Sequence, residues 1–172
     1  MLGFYRGAAR GLAAAHRADI IHRDFKPENV MVVRGAGGEL TVKVLDFGLS
    51  KLIHLPLGAS LQTQTGQIMG TPMYMAPEQG SGEEVDHRAD IWSLGVIAFR
   101  ALTGKMAFSG DTSPEILAAI LKAEPQDISA SGILLPIEAS RTVRRCLEKS
   151  ADARFQSASD LAYNLRSITS EH

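Results

Sequence analysis

The chain has 172 residues, of which 45% are hydrophobic and 22% are charged, and its formal net charge is −1. This length suffices for one domain that folds without disulfides or metal, and the balanced charge argues against nucleic-acid and anionic-membrane partners. The single cysteine, Cys146, excludes an internal disulfide and is typical of the cytoplasm.

The first predicted element is a helix over residues 2–17, where apolar residues recur at steps of three and four. Gly3, Gly7 and Gly11 each weaken such a helix by roughly 1 kcal/mol relative to alanine. We therefore expect these glycines at points of close backbone packing. Two arginines interrupt the stretch, so we expect neither a secretory signal nor a membrane segment here.

A β-hairpin is predicted next. The β-branched run 30–33 and the alternating residues 40–45 indicate two strands, and the glycine-rich residues 34–39 indicate the turn between them. The loop before the hairpin, "HRDFKPEN" (22–29), places acidic, basic and amide side chains close together. Residues 46–78 show little periodicity, and a segment of that length in a compact domain is usually functional.

The remainder of the chain is predicted to be helical. Four helices are expected, over residues 86–105, 113–122, 137–149 and 157–168. The first of them is apolar nearly all round, which is typical of a helix at the centre of a domain. Gly104 is expected to end it, Ser113 and Pro114 to begin the second, and Ser157 with Asp160 to cap the last.

Four short sequence blocks follow one another along the chain, and their order is informative. They are "HRDFKPEN" (22–29), "DFG" (46–48), "GTPMYMAPE" (70–78) and "DIWSLG" (90–95). Together they resemble the protein kinase family, and in particular its bacterial serine/threonine branch. The resemblance implies a mainly α large lobe, built around a buried central helix with a small hairpin at the catalytic loop. It assigns residues 1–168 to that lobe, 22–29 to the catalytic loop, 46–78 to the activation segment and 169–172 to a tail.

The resemblance also implies a chemistry, the transfer of the γ-phosphate of ATP to serine or threonine hydroxyls of protein substrates. Asp24 matches the catalytic aspartate that orients the attacking hydroxyl, and Lys26 would place a positive charge on the phosphoryl group. Asn29 and Asp46 supply hard oxygen ligands suited to Mg²⁺. Met31 is the candidate for the floor of the adenine site.

Other matched residues are expected to be structural. His22 and Phe47 resemble the side chains that couple the catalytic loop to the DFG block, which Gly48 completes. Asp90 resembles the aspartate at the start of a helix that holds the catalytic-loop backbone.

A second structural pair matches the family further along the chain. Glu78 and Arg154 resemble a buried ion pair between the APE block and the later helices. Loss of one partner of such a pair is costly.

Regulation is implied by Arg23, because an arginine before the catalytic aspartate commonly pairs with a phosphate on the activation segment. Thr63 and Thr65 are the candidate phosphorylation sites, and the alternative is that both are polar residues of a flexible loop. Thr71 in "GTPMYMAPE" fits serine/threonine specificity and is the candidate for positioning the substrate.

No G-x-G-x-x-G-x-V or A-x-K block of the small lobe is found in the sequence. The expectation is therefore a large lobe alone, inactive in isolation, whose exposed face favours self-association. The alternative is a non-catalytic module that docks partners. A small-molecule phosphotransferase is a third reading, disfavoured because such enzymes lack the APE block.

Overall fold

The computed structural model describes residues 2–47, 72–128 and 136–168. Within these ranges the chain is mainly helical, with one two-stranded sheet. The elements are α1 (Leu2–His16), β1 (Val30–Arg34), β2 (Leu40–Val44), α2 (Pro77–Ser81), α3 (Arg88–Thr103), α4 (Ser113–Lys122), α5 (Ile137–Cys146) and α6 (Ala158–Ile168). Single 3₁₀ turns lie at Pro27–Asn29, Pro72–Tyr74 and Ala151–Ala153.

Helix α3 forms the centre of the domain. Every residue from Ala89 to Phe99 is buried, as the nearly continuous apolar sequence predicts. Helices α1 and α5 pack against α3, and α6 packs against both α1 and α5. The prediction of a mainly helical domain around a buried helix is confirmed.

The hairpin of β1 and β2 is also confirmed, with Val32 opposite Val42 in an antiparallel register. Strand β2 packs on α1. A Cβ atom at Gly7 would lie 2.7 Å from Val42 Cγ2, and one at Gly11 would lie 2.8 Å from Val44 Cγ2. The prediction of close backbone packing is therefore right for Gly7 and Gly11. It is wrong for Gly3, since nothing lies within 4 Å of a Cβ there.

Several helix ends differ from the prediction. Thr112, not Ser113, is the N-cap of α4, because its hydroxyl accepts a hydrogen bond from the Glu115 amide. Helix α5 ends at Cys146, three residues before the predicted end. Gly104 ends α3 as predicted, with a left-handed φ of 71°.

The cap at the start of α6 is as predicted. The Asp160 amide donates to the Ser157 hydroxyl at 3.0 Å.

Candidate active site

The loop 22–29 connects α1 to β1, and the buried His22 fixes it to two other segments. The Nε2 atom of His22 lies 2.9 Å from the carbonyl oxygen of Leu45, at the end of β2. Its backbone amide donates to Asp90 at 2.9 Å, at the start of α3. The loop is thereby held between the hairpin and the central helix.

Asp90 is a fully buried carboxylate with three polar neighbours. It accepts hydrogen bonds from the amides of His22 and Arg23, both at 2.9 Å, and its Oδ2 lies 2.8 Å from Nε2 of His16. A buried carboxylate requires such partners, since an uncompensated charge in the interior is very unfavourable. The core of the domain thus orients the backbone that precedes Asp24.

Two backbone positions at the site are strained. Arg23 and Asp46 have φ values of 65° and 58°, in the left-handed region that costs a residue other than glycine about 1–2 kcal/mol. At Arg23 the surrounding contacts hold this geometry, because its amide donates to Asp90 and its carbonyl accepts from Gln79 Nε2 at 2.7 Å. Strained residues of this kind cluster at functional sites.

Asp24, Lys26 and Asn29 lie together on the loop. Lys26 Nζ contacts Asp24 Oδ2 at 2.7 Å, and both side chains reach solvent. The buried Asn29 donates through Nδ2 to the Asp24 carbonyl at 2.8 Å. This hydrogen bond leaves the amide oxygen of Asn29 as the atom available to a cation.

Three carboxylates act on the charge of Lys26. The hydrogen bond that Lys26 donates to the Asp24 carboxylate is the main cause that raises the pKa of Lys26. Partial burial opposes this rise, and the carboxylates of Glu28 and Asp46 add to it. Lys26 is therefore a cation at neutral pH, surrounded by three carboxylates. Carboxylate oxygens bind divalent cations such as Mg²⁺ and repel a bare anion. A phosphate would therefore bind here together with a cation.

Apolar side chains border this group. The ring of Phe47 lies 5.2 Å from that of His22, and the ring of Phe25 lies 5.5 Å from it on the buried side. On the hairpin, Met31 is 47% exposed and Val32 is 48% exposed. Because Val32 lies opposite Val42, on the face of the hairpin turned to α1, a ligand on the other face would meet Met31 and not Val32.

Glu78 and Arg154 form a bidentate ion pair, with N–O distances of 2.7 and 2.8 Å. The other donors of the Arg154 guanidinium bind the carbonyl oxygens of Glu148, Arg88 and Lys149. All five N–H groups of this fully buried side chain are thereby satisfied.

Sequence reasoning missed two residues of the site, His16 and Gln79. Gln79 follows Glu78 on α2, and its side chain joins that helix to the Arg23 carbonyl. Neither residue carries a sequence signal, since their partners lie 74 and 56 positions away. Four predicted site residues, Gly48, Thr63, Thr65 and Thr71, lie outside the described residues.

The family model for the protein kinase domain matches residues 3–164. The chain belongs to the protein kinase family. It is 42% identical to the serine/threonine-protein kinase pkn2 of Myxococcus xanthus over 156 residues, which are 90% of this chain and 19% of that protein. It is 40% identical to Pkn1 of the same organism over 94% of this chain and 23% of the relative.

A mycobacterial relative extends the comparison. The serine/threonine-protein kinase PknB of Mycobacterium tuberculosis is 35% identical over 92% of this chain and 24% of its own length. The chain thus spans about a fifth to a quarter of the length of the curated relatives it matches.

Two features are absent from the part of the chain that the structure describes. No helix in residues 2–47, 72–128 and 136–168 is long and apolar enough to cross a bilayer. The same ranges contain no group of three or more His, Cys, Asp or Glu side chains that could hold a metal ion. A kinase Mg²⁺ site does not require such a group, because nucleotide phosphates and water supply most of its ligands.

Proposed function

We propose that this chain forms the catalytic large lobe of a serine/threonine protein kinase, which transfers the γ-phosphate of ATP to hydroxyls of protein substrates. The observation that carries the proposal is the Asp24–Lys26 contact at 2.7 Å, on a loop whose backbone the buried Asp90 holds. Asp24 orients the substrate hydroxyl and accepts its proton through the carboxylate oxygen that Lys26 leaves free.

Lys26 contributes a positive charge beside that carboxylate. Its ammonium has three donors, one of which binds Asp24, so the others can reach a phosphoryl oxygen. Because Lys26 stays protonated at neutral pH, it can offset negative charge that develops on the transferred group.

Mg·ATP fits the donor set of the site. When bound, it supplies the transferable phosphoryl group and the cation that offsets the phosphate charge. The carboxylate of Asp46 and the amide oxygen of Asn29 would hold that cation, and both are ligands that Mg²⁺ prefers. The hydrogen bond from Asn29 to the Asp24 carbonyl orients the amide for this role.

The exposed apolar side chains of the hairpin, Met31 on one face and Val32 and Leu40 on the other, complete the proposal. Adenine and a second lobe with a glycine loop and lysine would cover Met31, whether one polypeptide or two supply them. Left uncovered, exposed apolar side chains of this kind favour self-association. The single free cysteine, Cys146, is consistent with action in the cytoplasm.

We extend the proposal to regulation through Arg23. Its guanidinium makes no ion pair with any described residue, so it remains available to a phosphate on Thr63 or Thr65. Thr71 would help to position the substrate. Mass spectrometry after incubation of an active kinase with ATP should find phosphate at residue 63 or 65. Phosphate found only elsewhere would contradict this assignment.

A chimera tests the catalytic roles. In it, residues 3–164 of this chain replace the matching segment of the Myxococcus xanthus relative pkn2. Asp24→Asn should lower phosphoryl transfer more than about 100-fold and leave ATP affinity nearly unchanged, since it acts on the hydroxyl. Asp46→Asn should remove the Mg²⁺ dependence of ATP binding, because a neutral amide holds the metal poorly.

Asp111→Asn, at an exposed aspartate remote in sequence from the loop, is the matched control and should change neither quantity. Calorimetry that shows ATP affinity lost in Asp24→Asn would contradict the division of roles. Equal transfer by Asp24→Asn and the parent would favour the alternative of a non-catalytic docking module.

A further inference from the structure

A basic groove lies between α1 and α6, outside the site described above. It is concave and has a volume of about 580 Å³, and the described residues that line it include four arginines, Arg6, Arg10, Arg17 and Arg166, and no aspartate or glutamate. The whole chain carries 18 basic and 19 acidic residues. The groove therefore concentrates positive charge on a nearly neutral molecule.

The arginines of α1 form a straight row. Arg6, Arg10 and Arg17 fall within roughly 40° around the helix axis, and the row is about 16 Å long. Arg17 follows the last residue of α1, and its amide still bonds the Ala13 carbonyl at 3.2 Å, so it continues the helical spacing. On the facing wall, the guanidinium of Arg166 lies 5.1 Å from the ring centre of the exposed Tyr163.

The fold does not explain this row. Among the described residues, Arg88, Arg141 and Arg154 each contact a carboxylate, whereas Arg6, Arg10 and Arg17 form no ion pair. Like charges four residues apart on a helix repel each other. A row of unneutralised guanidinium groups in a concave surface is therefore suited to an anion from outside.

The shape of the groove favours an extended peptide over other anions. A small anion could not contact arginines spread over about 16 Å, whereas a strand of about five residues spans that length. Glutamates at alternate positions of a strand lie about 7 Å apart on one face, close to the rise of about 6 Å between Arg6 and Arg10. The concave form is unsuited to a flat bilayer, and the balanced total charge does not favour nucleic acid.

We propose that this groove binds an extended acidic segment of a partner protein, with arginine–carboxylate pairs along α1. This docking site requires neither nucleotide nor phosphoryl transfer, so it goes beyond the function proposed above. Because the contacts are exposed ion pairs, we expect binding to weaken as salt rises.

The test is fluorescence anisotropy with a fluorescein-labelled decapeptide of alternating glutamate and alanine, added to the 172-residue chain. Replacement of Arg6, Arg10 and Arg17 by glutamine should weaken binding at least tenfold. The matched control replaces Arg34, Arg141 and Arg144, three exposed arginines elsewhere, and removes the same total charge. It should change the affinity less than twofold.

A second variant avoids removing any arginine. Ser159→Glu places a carboxylate on the groove wall, at an exposed residue of the first turn of α6, where an acidic side chain does not disfavour the helix. It should weaken binding at least fivefold while the circular dichroism spectrum stays that of the parent.

Three results would overturn the proposal. They are equal losses in the two triple variants, no binding by the parent at 100 mM salt, and displacement of the peptide by single-stranded RNA or phosphatidylserine vesicles at lower concentrations than unlabelled peptide. The last would assign the groove to a different class of partner. A peptide with glutamine in place of glutamate should not bind.

Discussion

At the scale of single residues, Asp90 connects the core to the chemistry. One buried carboxylate holds the His22 and Arg23 amides, and His16 binds the same carboxylate from α1. The Nδ1 atom of His16 is buried and has no hydrogen-bond partner among the residues that the structure describes. Within that part of the chain, the contact with Asp90 is the hydrogen bond that fixes this ring. His16 therefore acts on the loop through Asp90.

We predict that His16→Ala lowers the free energy of unfolding by about 1–3 kcal/mol, because it removes a hydrogen bond to a buried carboxylate. The His22 and Arg23 amides should also exchange faster with deuterium, as measured by NMR. His87→Ala is the control, since that ring lies 5.3 Å from His16 but bonds the Gln156 carbonyl instead. Unchanged exchange at both amides in His16→Ala would contradict the role.

Cys146 makes the stability of the domain depend on pH. Burial raises the pKa of its thiol from 9.0 to about 12, and burial raises the pKa of Tyr5 to about 12 as well. Both groups bind protons more tightly when folded, so their stabilisation is present below their ordinary pKa and is lost as pH rises toward 12. Burial lowers the pKa of Lys149 to about 8, which acts in the opposite direction between pH 8 and 10.5.

We predict that Cys146→Ala flattens the fall of stability in alkali. Between pH 9 and 10.5, the free energy of unfolding of the parent should fall more steeply than that of the variant, by up to about 1.4 kcal/mol per pH unit. Urea unfolding across this range measures both slopes, and the truncation itself shifts the variant by a constant. Parallel profiles would show that the thiol titrates alike in the folded and unfolded states, so that burial does not raise its pKa.

At the scale of elements, the contact between α1 and β2 depends on two missing side chains. Gly7 and Gly11 let the valines of β2 approach the helix backbone, whereas Gly3 faces open space. The hairpin contains Met31 and is followed by Asp46. The contact between α1 and β2 therefore also fixes the distance of these two residues from the core.

We predict opposite effects for two identical substitutions. Gly3→Ala should leave stability unchanged or raise it by up to about 1 kcal/mol through helix propensity. Gly7→Ala should lower it by about 1–3 kcal/mol, because the new methyl group overlaps Val42. Val42→Ala added to Gly7→Ala should recover part of the loss. Chemical denaturation that finds Gly7→Ala as stable as Gly3→Ala would refute the close approach.

Helix α2 is held by the ion pair of Glu78 with Arg154. We predict that Glu78→Gln lowers the free energy of unfolding by about 3–5 kcal/mol, since it leaves a buried guanidinium without a counter-charge. Glu138→Gln removes an exposed pair with Arg141 and should cost less than about 1 kcal/mol. Urea unfolding measures both variants. Similar losses would show that the buried pair contributes no more to the free energy of unfolding than the exposed pair.

The same elements show how far sequence reasoning reaches. Helix α3 and the hairpin are predictable because their burial follows from local apolar patterns. Helix α2 is not, since "PEQGS" has no periodicity and its one glycine, Gly80, opposes a helix. Its stability comes from contacts with Arg154 and Arg23 that are distant in sequence. For the same reason the sequence does not assign His16 to the site, whereas a local motif makes Asp24 and Lys26 candidates.

At the scale of the whole molecule, the candidate phosphoryl-transfer groups Asp24, Lys26 and Asn29 lie together on one loop, and the side chains of Asp24 and Lys26 reach solvent. Phosphoryl transfer also needs hydrogen-bond donors on the phosphate oxygens, which a glycine loop and the A-x-K lysine would supply. Loss of one preorganised donor typically costs about 10²–10³ in rate. The sequence contains no glycine loop or A-x-K block. We therefore expect the 172 residues alone to transfer no phosphate.

The most direct test is transfer of ³²P from labelled ATP to a serine peptide and to a tyrosine peptide. The samples are the 172-residue chain, the chimera with Myxococcus xanthus pkn2, and the chimera with Asp24→Asn. The account predicts label on the serine peptide with the parent chimera only. Label with the isolated chain that depends on Asp24 would show that this lobe suffices, and no label with a folded chimera would contradict its catalytic role.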